Sequence, residues 1–232
     1  MKTSRTPLLI SFSGLDGAGK TTQIDNLRAT LSAAGLSSRV LVFWEDVVVL
    51  SRYRESFVHK VYGSERGIGT PGKPVNRRDK NVRSWYLTLS RHALYFLDAV
   101  HLRLVVRGAL RGNTDVVIFD RYLYDELANL PLQNPASRAF ARLLNRLIPR
   151  PDLAFILDAD PEAAVARKPE YPVDFMHKCR QAYCALESLL GTLTVVPPLP
   201  LAEAQGWVVQ HAFAALGRTD LVAATADRAP AA

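Results

Sequence analysis

Cysteine is close to absent from this chain. The 232 residues hold two, Cys179 and Cys184, five apart on a segment that reads as a helix. Helical neighbours lie three or four apart, so these two do not face each other. Neither a disulfide framework nor a zinc site can be built from them, and a reducing, cytoplasmic location is expected. Long apolar runs are lacking too: none approaches the ~18 residues of a membrane span. The basic start Met1-Lys2-Thr3-Ser4-Arg5 precedes only a short apolar stretch, Pro7 to Phe12, so no secretory leader is expected. There is no internal repeat and no dividing linker. What is there is 48% hydrophobic and 22% charged, which excludes a mostly disordered chain. The length suits one α/β domain with a full core and is short for two.

Apolar runs and punctuation alternate regularly. Leu8 to Phe12 reads as a short buried strand that ends at Gly14. A helix runs from Lys20 towards Gly35, a natural C-cap. Residues 39–44 read as a second buried strand, and the glycines and prolines of 62–76 make a loop. A long helix is predicted over 84–112, where Tyr86, Leu89, Ala93, Leu97, Val100 and Leu104 recur at spacings of three and four as one apolar face. Further strands are predicted over 116–119, 153–157 and 193–196. Asn134-Pro135 and Asp160-Pro161 each supply an N-cap and first position, for helices to Ile148 and Arg167. Two more helices cover 172–190, stopped by Gly191, and 201–216. The tail from Arg218 is expected to fray. Five buried strands alternating with helices imply an α/β fold, a five-stranded parallel sheet with helices on both faces.

Charge is uneven. Residues 51–83 hold nine basic side chains (Arg52, Arg54, Lys60, Arg66, Lys73, Arg77, Arg78, Lys80 and Arg83) against Glu55, Glu65 and Asp79, so nearly all of the net +7 sits there. Such a segment suits an anionic partner, or simply forms a solvated loop. The row Arg103, Arg107 and Arg111 reads as a solvated helix face. His92, His101, His177 and His211 read as polar helix residues, and Trp44 and Trp85 as core packing that could alternatively stack on a base.

The strongest signal is Gly14-Leu15-Asp16-Gly17-Ala18-Gly19-Lys20-Thr21, which fits G-x-x-x-x-G-K-[ST] between a strand and a helix. The glycines let backbone N–H groups turn inward around phosphate oxygens, and the helix start adds its positive dipole end. Lys20 supplies a cation for the β- and γ-phosphates of ATP, and the Thr21 hydroxyl can ligate Mg²⁺. Gly14, Asp16, Gly17, Ala18, Gly19, Lys20, Thr21 and Thr22 are therefore the candidate nucleotide-binding residues. The guanine-reading Asn/Thr-Lys-x-Asp tetrad is missing, which weighs against a GTPase. The third strand ends Ile118-Phe119-Asp120-Arg121-Tyr122. Asp120 stands at the C-terminal end of a buried strand, where a second magnesium-organising carboxylate is needed. Arg121 sets a permanent, bidentate cation beside it.

These residues resemble the thymidylate kinase family of P-loop nucleoside monophosphate kinases. The run Ile10-Ser11-Phe12-Ser13-Gly14-Leu15-Asp16-Gly17-Ala18-Gly19-Lys20-Thr21-Thr22-Gln23 is similar to that family's phosphate loop, and Asp120-Arg121-Tyr122 to its Asp-Arg-Tyr. Pro151-Asp152-Leu153 and Leu157-Asp158-Ala159-Asp160-Pro161-Glu162 match the strand and helix before its lid. The resemblance implies strand order 2-3-1-4-5 in a single P-loop kinase domain over 1–217, with a short lid at 167–175 and the basic stretch 51–83 as an insertion. It implies that Asp16 accepts from the acceptor sugar's hydroxyl and that Arg121 holds the acceptor phosphate, with Tyr122 beside it. Gly17 stands where an Arg would be, so the catalytic cation is expected from the lid, as Arg167 or Lys168. Several family positions differ. Phe43-Trp44-Glu45-Asp46 keeps a Glu, Glu45, but has no Arg beside it, and Leu97-Asp98-Ala99-Val100-His101 keeps the His of Asp-Arg-x-x-His without its Arg. Asp125 stands in place of a Ser, and Ala128-Asn129-Leu130 in place of Ala-Tyr-Gln. One or two of Arg52, Arg54, Arg77, Arg78 and Arg83, or Arg91 on the long helix, are expected to supply the missing grip, Arg52 and Arg54 first.

The expected activity is ATP- and Mg²⁺-dependent phosphoryl transfer to a nucleoside monophosphate, dTMP first. The alternatives are a P-loop kinase of a nucleoside, sugar or polynucleotide end, and a nucleotide-binding protein without turnover. Nucleotides are the expected partners. Nucleic acid is a less favoured one, and a homodimer is compatible with the sequence.

Overall fold

Strand β1 (Leu8–Gly14) alternates its side chains between two cores. The computed structural model describes residues 6–49 and 85–218, with the backbone alone for 85–90. The insertion 51–83, with Arg52 and Arg54, Trp85's side chain and the tail beyond Arg218 lie outside the described residues. The order along the chain is β1, α1 (Lys20–Ala33), β2 (Ser38–Val42), a π-helical turn (Phe43–Val47), α2 (Trp85–Leu110), β3 (Val116–Asp120), α3 (Leu123–Leu127), α4 (Pro135–Leu147), β4 (Leu153–Leu157), α5 (Pro161–Arg167), α6 (Val173–Leu190), β5 (Thr194–Val196) and α7 (Leu201–Ala215).

The five strands form one parallel sheet in the order β2-β3-β1-β4-β5, as expected. Register sets the C-terminal ends level: Phe12 and Val42 both lie opposite Asp120, and Gly14 lies opposite Leu157. One face carries Ile10, Phe12, Ile118 and Phe155 packed on α1 and α7 through Leu27, Leu31, Val208 and Phe213. The other carries Leu9, Val117, Phe119 and Ile156 under α2, α4 and α6, through Leu102, Val106, Leu144 and Leu186. Reversal at β1 makes this end of the sheet the crevice where ligands of open α/β sheets bind.

The two Pro-started helices form as expected. Asn134 accepts from the Ala136 N–H at 2.9 Å and Asp160 from the Ala163 N–H at 3.0 Å. Gly35 and Gly191 end their helices with positive φ, 72° and 59°. Two expectations fail. The face chosen for the long helix is the outer one: Leu97, Val100 and Leu104 are 47%, 44% and 59% exposed, whereas Tyr95, Ala99, Leu102, Val106 and Ala109 are buried. Both stripes are apolar, so periodicity could not choose between them. Strand β2 stops at Val42 because the Asp46 carboxylate accepts the Val42 N–H at 2.7 Å and the chain winds into a π turn. Trp44, expected in the core, is 41% exposed there, edge-on to Phe43.

The remaining polar residues take ordinary helix roles. Arg103, Arg107 and Arg111 are exposed. His92 packs on Phe140, His177 meets Glu162 at 3.0 Å, and His211 stacks on Trp207. Cys179 and Cys184 form no disulfide with each other.

Candidate active site

The loop between β1 and α1 is shaped by close backbone approach. A Cβ on Gly14 would stand 2.4 Å from the Leu157 carbonyl oxygen, and one on Gly17 2.6 Å from that of Ala164. Gly14, Gly17 and Gly19 have φ of 130°, 81° and 88°, which L side chains rarely adopt. The loop is thereby pressed between the end of β4 and α5, and Leu15 and Ala18 join a small apolar cluster with Ala164, Tyr171, Phe175 and Met176. Helix α1 begins at Lys20 with Gly19 as its N-cap, no side-chain cap and no acidic residue in its first turn. Its first N–H groups thus keep the positive end of the helix for an anion. Thr21 and Thr22 are exposed at that end.

Lys20 is buried, its ammonium donating to the carbonyls of Gly14 at 3.0 Å and Leu15 at 2.7 Å. Burial, helped by the Arg121 charge, pulls its pKa down to about 8 against the pull of Asp125 and Asp16. It lies 4.0 Å from the Asp16 carboxylate. Arg121 Nη2 donates to the same Asp16 oxygen. Burial alone would raise the Asp16 carboxyl, but the Arg121 and Lys20 charges outweigh it and hold Asp16 below its usual value. Asp120 goes the other way: burial raises it against the Arg121 and Lys20 charges.

Arg121 sits just past β3 with φ 67°, a left-handed conformation unusual for a non-glycine residue, and its N–H donates to the Phe12 carbonyl at 2.9 Å. This twist aims its guanidinium back over the loop. Nη1 meets the Asp125 carboxylate at 3.0 Å, and the Tyr183 hydroxyl donates to that same oxygen at 2.8 Å. The other Asp125 oxygen accepts the Tyr122 N–H at 3.2 Å. Although burial disfavours a charged guanidinium, Asp125 and Asp16 hold Arg121 above its ordinary pKa. Burial, reinforced by Asp125, likewise pushes the Tyr183 phenol well up.

The structure thus gathers Gly14, Asp16, Gly17, Ala18, Gly19, Lys20, Asp120 and Arg121 at one end of the sheet. Other expected residues stand elsewhere. Tyr122, expected on the acceptor side, is fully buried with its hydroxyl donating to the Pro149 carbonyl at 2.6 Å, because the left-handed turn at Arg121 sends the next side chain into the core. Glu45 is exposed in the π turn. Arg91 is half-buried on α2. Arg167 is exposed and turned back to the Ala163 carbonyl at 3.2 Å, and Lys168 meets Glu170 at 3.2 Å. Lys168 is still near enough for its charge to lower Asp16. Asp98 and His101 fasten the chain after β2. The buried Asp98 accepts the Val49 N–H at 2.8 Å, and His101 Nδ1 lies 2.6 Å from the Val47 carbonyl.

Sequence reasoning missed Arg180, which grips Asp158 with Nε at 2.8 Å and Nη2 at 2.6 Å, and the pairing of Tyr183 with Asp125. A carboxylate four residues after Arg121 on a short helix was the available signal for Asp125. The Tyr183 partner, 58 residues on, had none.

The donor set suits a phosphorylated ligand with a hard divalent ion. The Thr21 hydroxyl, exposed at the start of α1, and the Asp120 carboxylate, at the end of β3, are hard oxygen donors of the type that Mg²⁺ takes beside water and phosphate. Among the described residues no helix is long and apolar enough to cross a membrane.

No family model matches the chain. Curated proteins do. The thymidylate kinase of Bifidobacterium longum subsp. infantis is 31% identical over 192 residues, covering 77% of this chain and 73% of that protein. The thymidylate kinase of Xanthomonas euvesicatoria pv. vesicatoria is 31% identical over 195 residues, 78% of this chain and 72% of its own. A probable thymidylate kinase of Methanosphaera stadtmanae is 26% identical over 202 residues, 84% and 92%.

Proposed function

This chain belongs to the thymidylate kinase family of phosphotransferases, and from that premise we propose that it transfers the γ-phosphoryl group of ATP to a nucleoside monophosphate, dTMP first. One observation carries the reading. Lys20, in the phosphate loop, and Arg121, past β3, both approach one oxygen of a single carboxylate, Asp16. A donor cation and an acceptor cation therefore converge on one point, as transfer between two bound phosphates needs.

ATP enters with its β- and γ-phosphates along the loop N–H groups and the uncapped start of α1. Lys20 takes up the charge that builds on the transferring group. Thr21 and Asp120 would hold Mg²⁺, which would neutralise charge on the phosphates. Arg121 presents its remaining N–H groups to the acceptor phosphate, and Asp16 accepts from the acceptor sugar's hydroxyl. An oxygen of the acceptor monophosphate forms the new bond to the γ-phosphorus, the bond from that phosphorus to the β-bridging oxygen breaks, and ADP leaves with the electron pair. Lys168 and Arg167 supply further positive charge from the lid. Arg52, Arg54 or Arg91 completes the grip on the acceptor.

A second reading is transfer to a hydroxyl of a nucleoside, sugar or polynucleotide end. Two observations favour it: Asp125 sets a second carboxylate on Arg121, and Asp98 binds backbone within the motif where the family carries an Arg. A coupled ADP-release assay with a panel of acceptors separates the two. Fastest turnover with dTMP supports the first reading. Turnover with a nucleoside, sugar or oligonucleotide and none with any monophosphate replaces it with the second.

A further inference from the structure

Helix α6 carries a polar column at spacing three, and each member ties down a different element. His177 meets Glu162 of α5 at 3.0 Å, Arg180 makes its fork to Asp158 at the end of β4, and Tyr183 donates to Asp125 of α3 at 2.8 Å. The last tie ends on Arg121. Asp125 Oδ1 accepts from both the Tyr183 hydroxyl and Arg121 Nη1, and Oδ2 is taken by the Tyr122 N–H. The carboxylate cannot swing without losing one of three bonds. The guanidinium is therefore gripped at both ends, Nη1 by Asp125 and Nη2 by Asp16, while its backbone is set by φ 67° and a bond to Phe12.

A guanidinium has five N–H donors, and these two pairings take two. The other three keep a fixed direction, which is what a planar fork needs to meet a phosphate without losing side-chain freedom on binding. Asp16 is part of the loop itself and stands between the two halves of the site. Asp125 makes no hydrogen bond to the loop, although its charge reaches Lys20.

We propose that Asp125 and Tyr183 are positioning residues: Tyr183, on the helix that follows the lid, locks Asp125, and Asp125 aims Arg121 at the acceptor. The inference rests on the proposed function only for what Arg121 meets, and the bracket itself is a property of the protein without acceptor.

The test has two arms. In kinetics, Tyr183→Phe removes one hydroxyl and Asp125→Asn removes the charge. The acceptor KM should rise about fivefold and about tenfold or more respectively, the scale of losing a charge-assisted contact, with the ATP KM unchanged in Tyr183→Phe, which leaves the Asp125 charge near Lys20 in place. In an Arg121→Ala background neither substitution should add a further loss. Losses that simply add, or that fall equally on ATP, would show a merely structural role and overturn the proposal. In the second arm, ¹⁵N NMR of the acceptor-free protein should show resolved, slowly rotating Nη signals for Arg121, averaged in Asp125→Asn and partly averaged in Tyr183→Phe. Signals unchanged in both variants would overturn the proposal. Wild-type protein that turns over no nucleoside monophosphate would refute the proposed acceptor, and the NMR arm would then decide the bracket alone. Where Asp125→Asn fails to fold, Tyr183→Phe carries both arms.

Discussion

The two halves of the site are built in opposite ways. The donor half is a run of consecutive residues, Gly14 to Thr22, whose shape follows from three glycines with positive φ and from two backbone approaches that no Cβ would allow. The proposed acceptor half is assembled from β3, α3 and α6, and its chief cation is held by carboxylates 105 residues before it and four after it. Contiguous sequence fixes the first, so its chemistry tolerates little. Long-range polar bonds fix the second, so single residues such as Asp125 can change what it accepts while the fold stays the same. Kinases that share a donor site and differ in acceptor are the natural outcome of that division.

The comparison breaks most sharply at Lys20. Lys20→Ala should lower kcat by about a hundredfold or more, since it removes the cation that stabilises the transferring phosphoryl group. Near-normal turnover in single-turnover kinetics would sink the mechanism. Next is Arg121. Arg121→Ala should raise the acceptor KM about tenfold to a hundredfold, the range for a charge-assisted contact, and leave ATP binding alone. Arg121→Lys should not rescue it, because a point charge cannot make the fork or bridge two carboxylates. Acceptor titrations that find Arg121→Lys equal to wild type would remove Arg121 as the clamp.

Acidity tests the donor half. Burial lowers Lys20 to about 8, so the ammonium is charged below that pH and neutral above it. The ATP kcat/KM, which reports the free enzyme, should hold up to about pH 8 and then fall close to tenfold per unit. A profile flat to pH 9.5 would contradict the burial of this ammonium. The smallest effect is expected at Asp98. Asp98→Asn loosens the chain after β2 at a cost of about 1 kcal/mol, while the acceptor kcat/KM stays within about threefold. A tenfold loss there would move Asp98 from fastening backbone to reading substrate.

The sequence exposed these parts unequally, and for physical reasons. The phosphate loop and the Asn134 and Asp160 caps were legible because each depends on residues within a few positions. The sheet order came from family resemblance. The inner face of α2 was illegible because Leu97, Val100 and Leu104 are as apolar as Tyr95, Leu102 and Val106, and only the packed sheet chooses between them. Trp44 was misplaced because one side chain, Asp46, ends β2 early. Tyr122 was misplaced because the left-handed turn at Arg121 reverses which side faces the core. The Asp125–Tyr183 bond joins elements whose approach no local pattern records.

The central claim is that phosphate moves from ATP to a monophosphate. ³¹P NMR of purified protein with ATP, Mg²⁺ and dTMP tests it directly. The account predicts dTDP and ADP appearing in equal amounts, and about a hundredfold or more slowly with Lys20→Ala. ADP accompanied by inorganic phosphate alone, or phosphate found on the hydroxyl of a nucleoside, sugar or oligonucleotide while dTMP stays untouched, would contradict it.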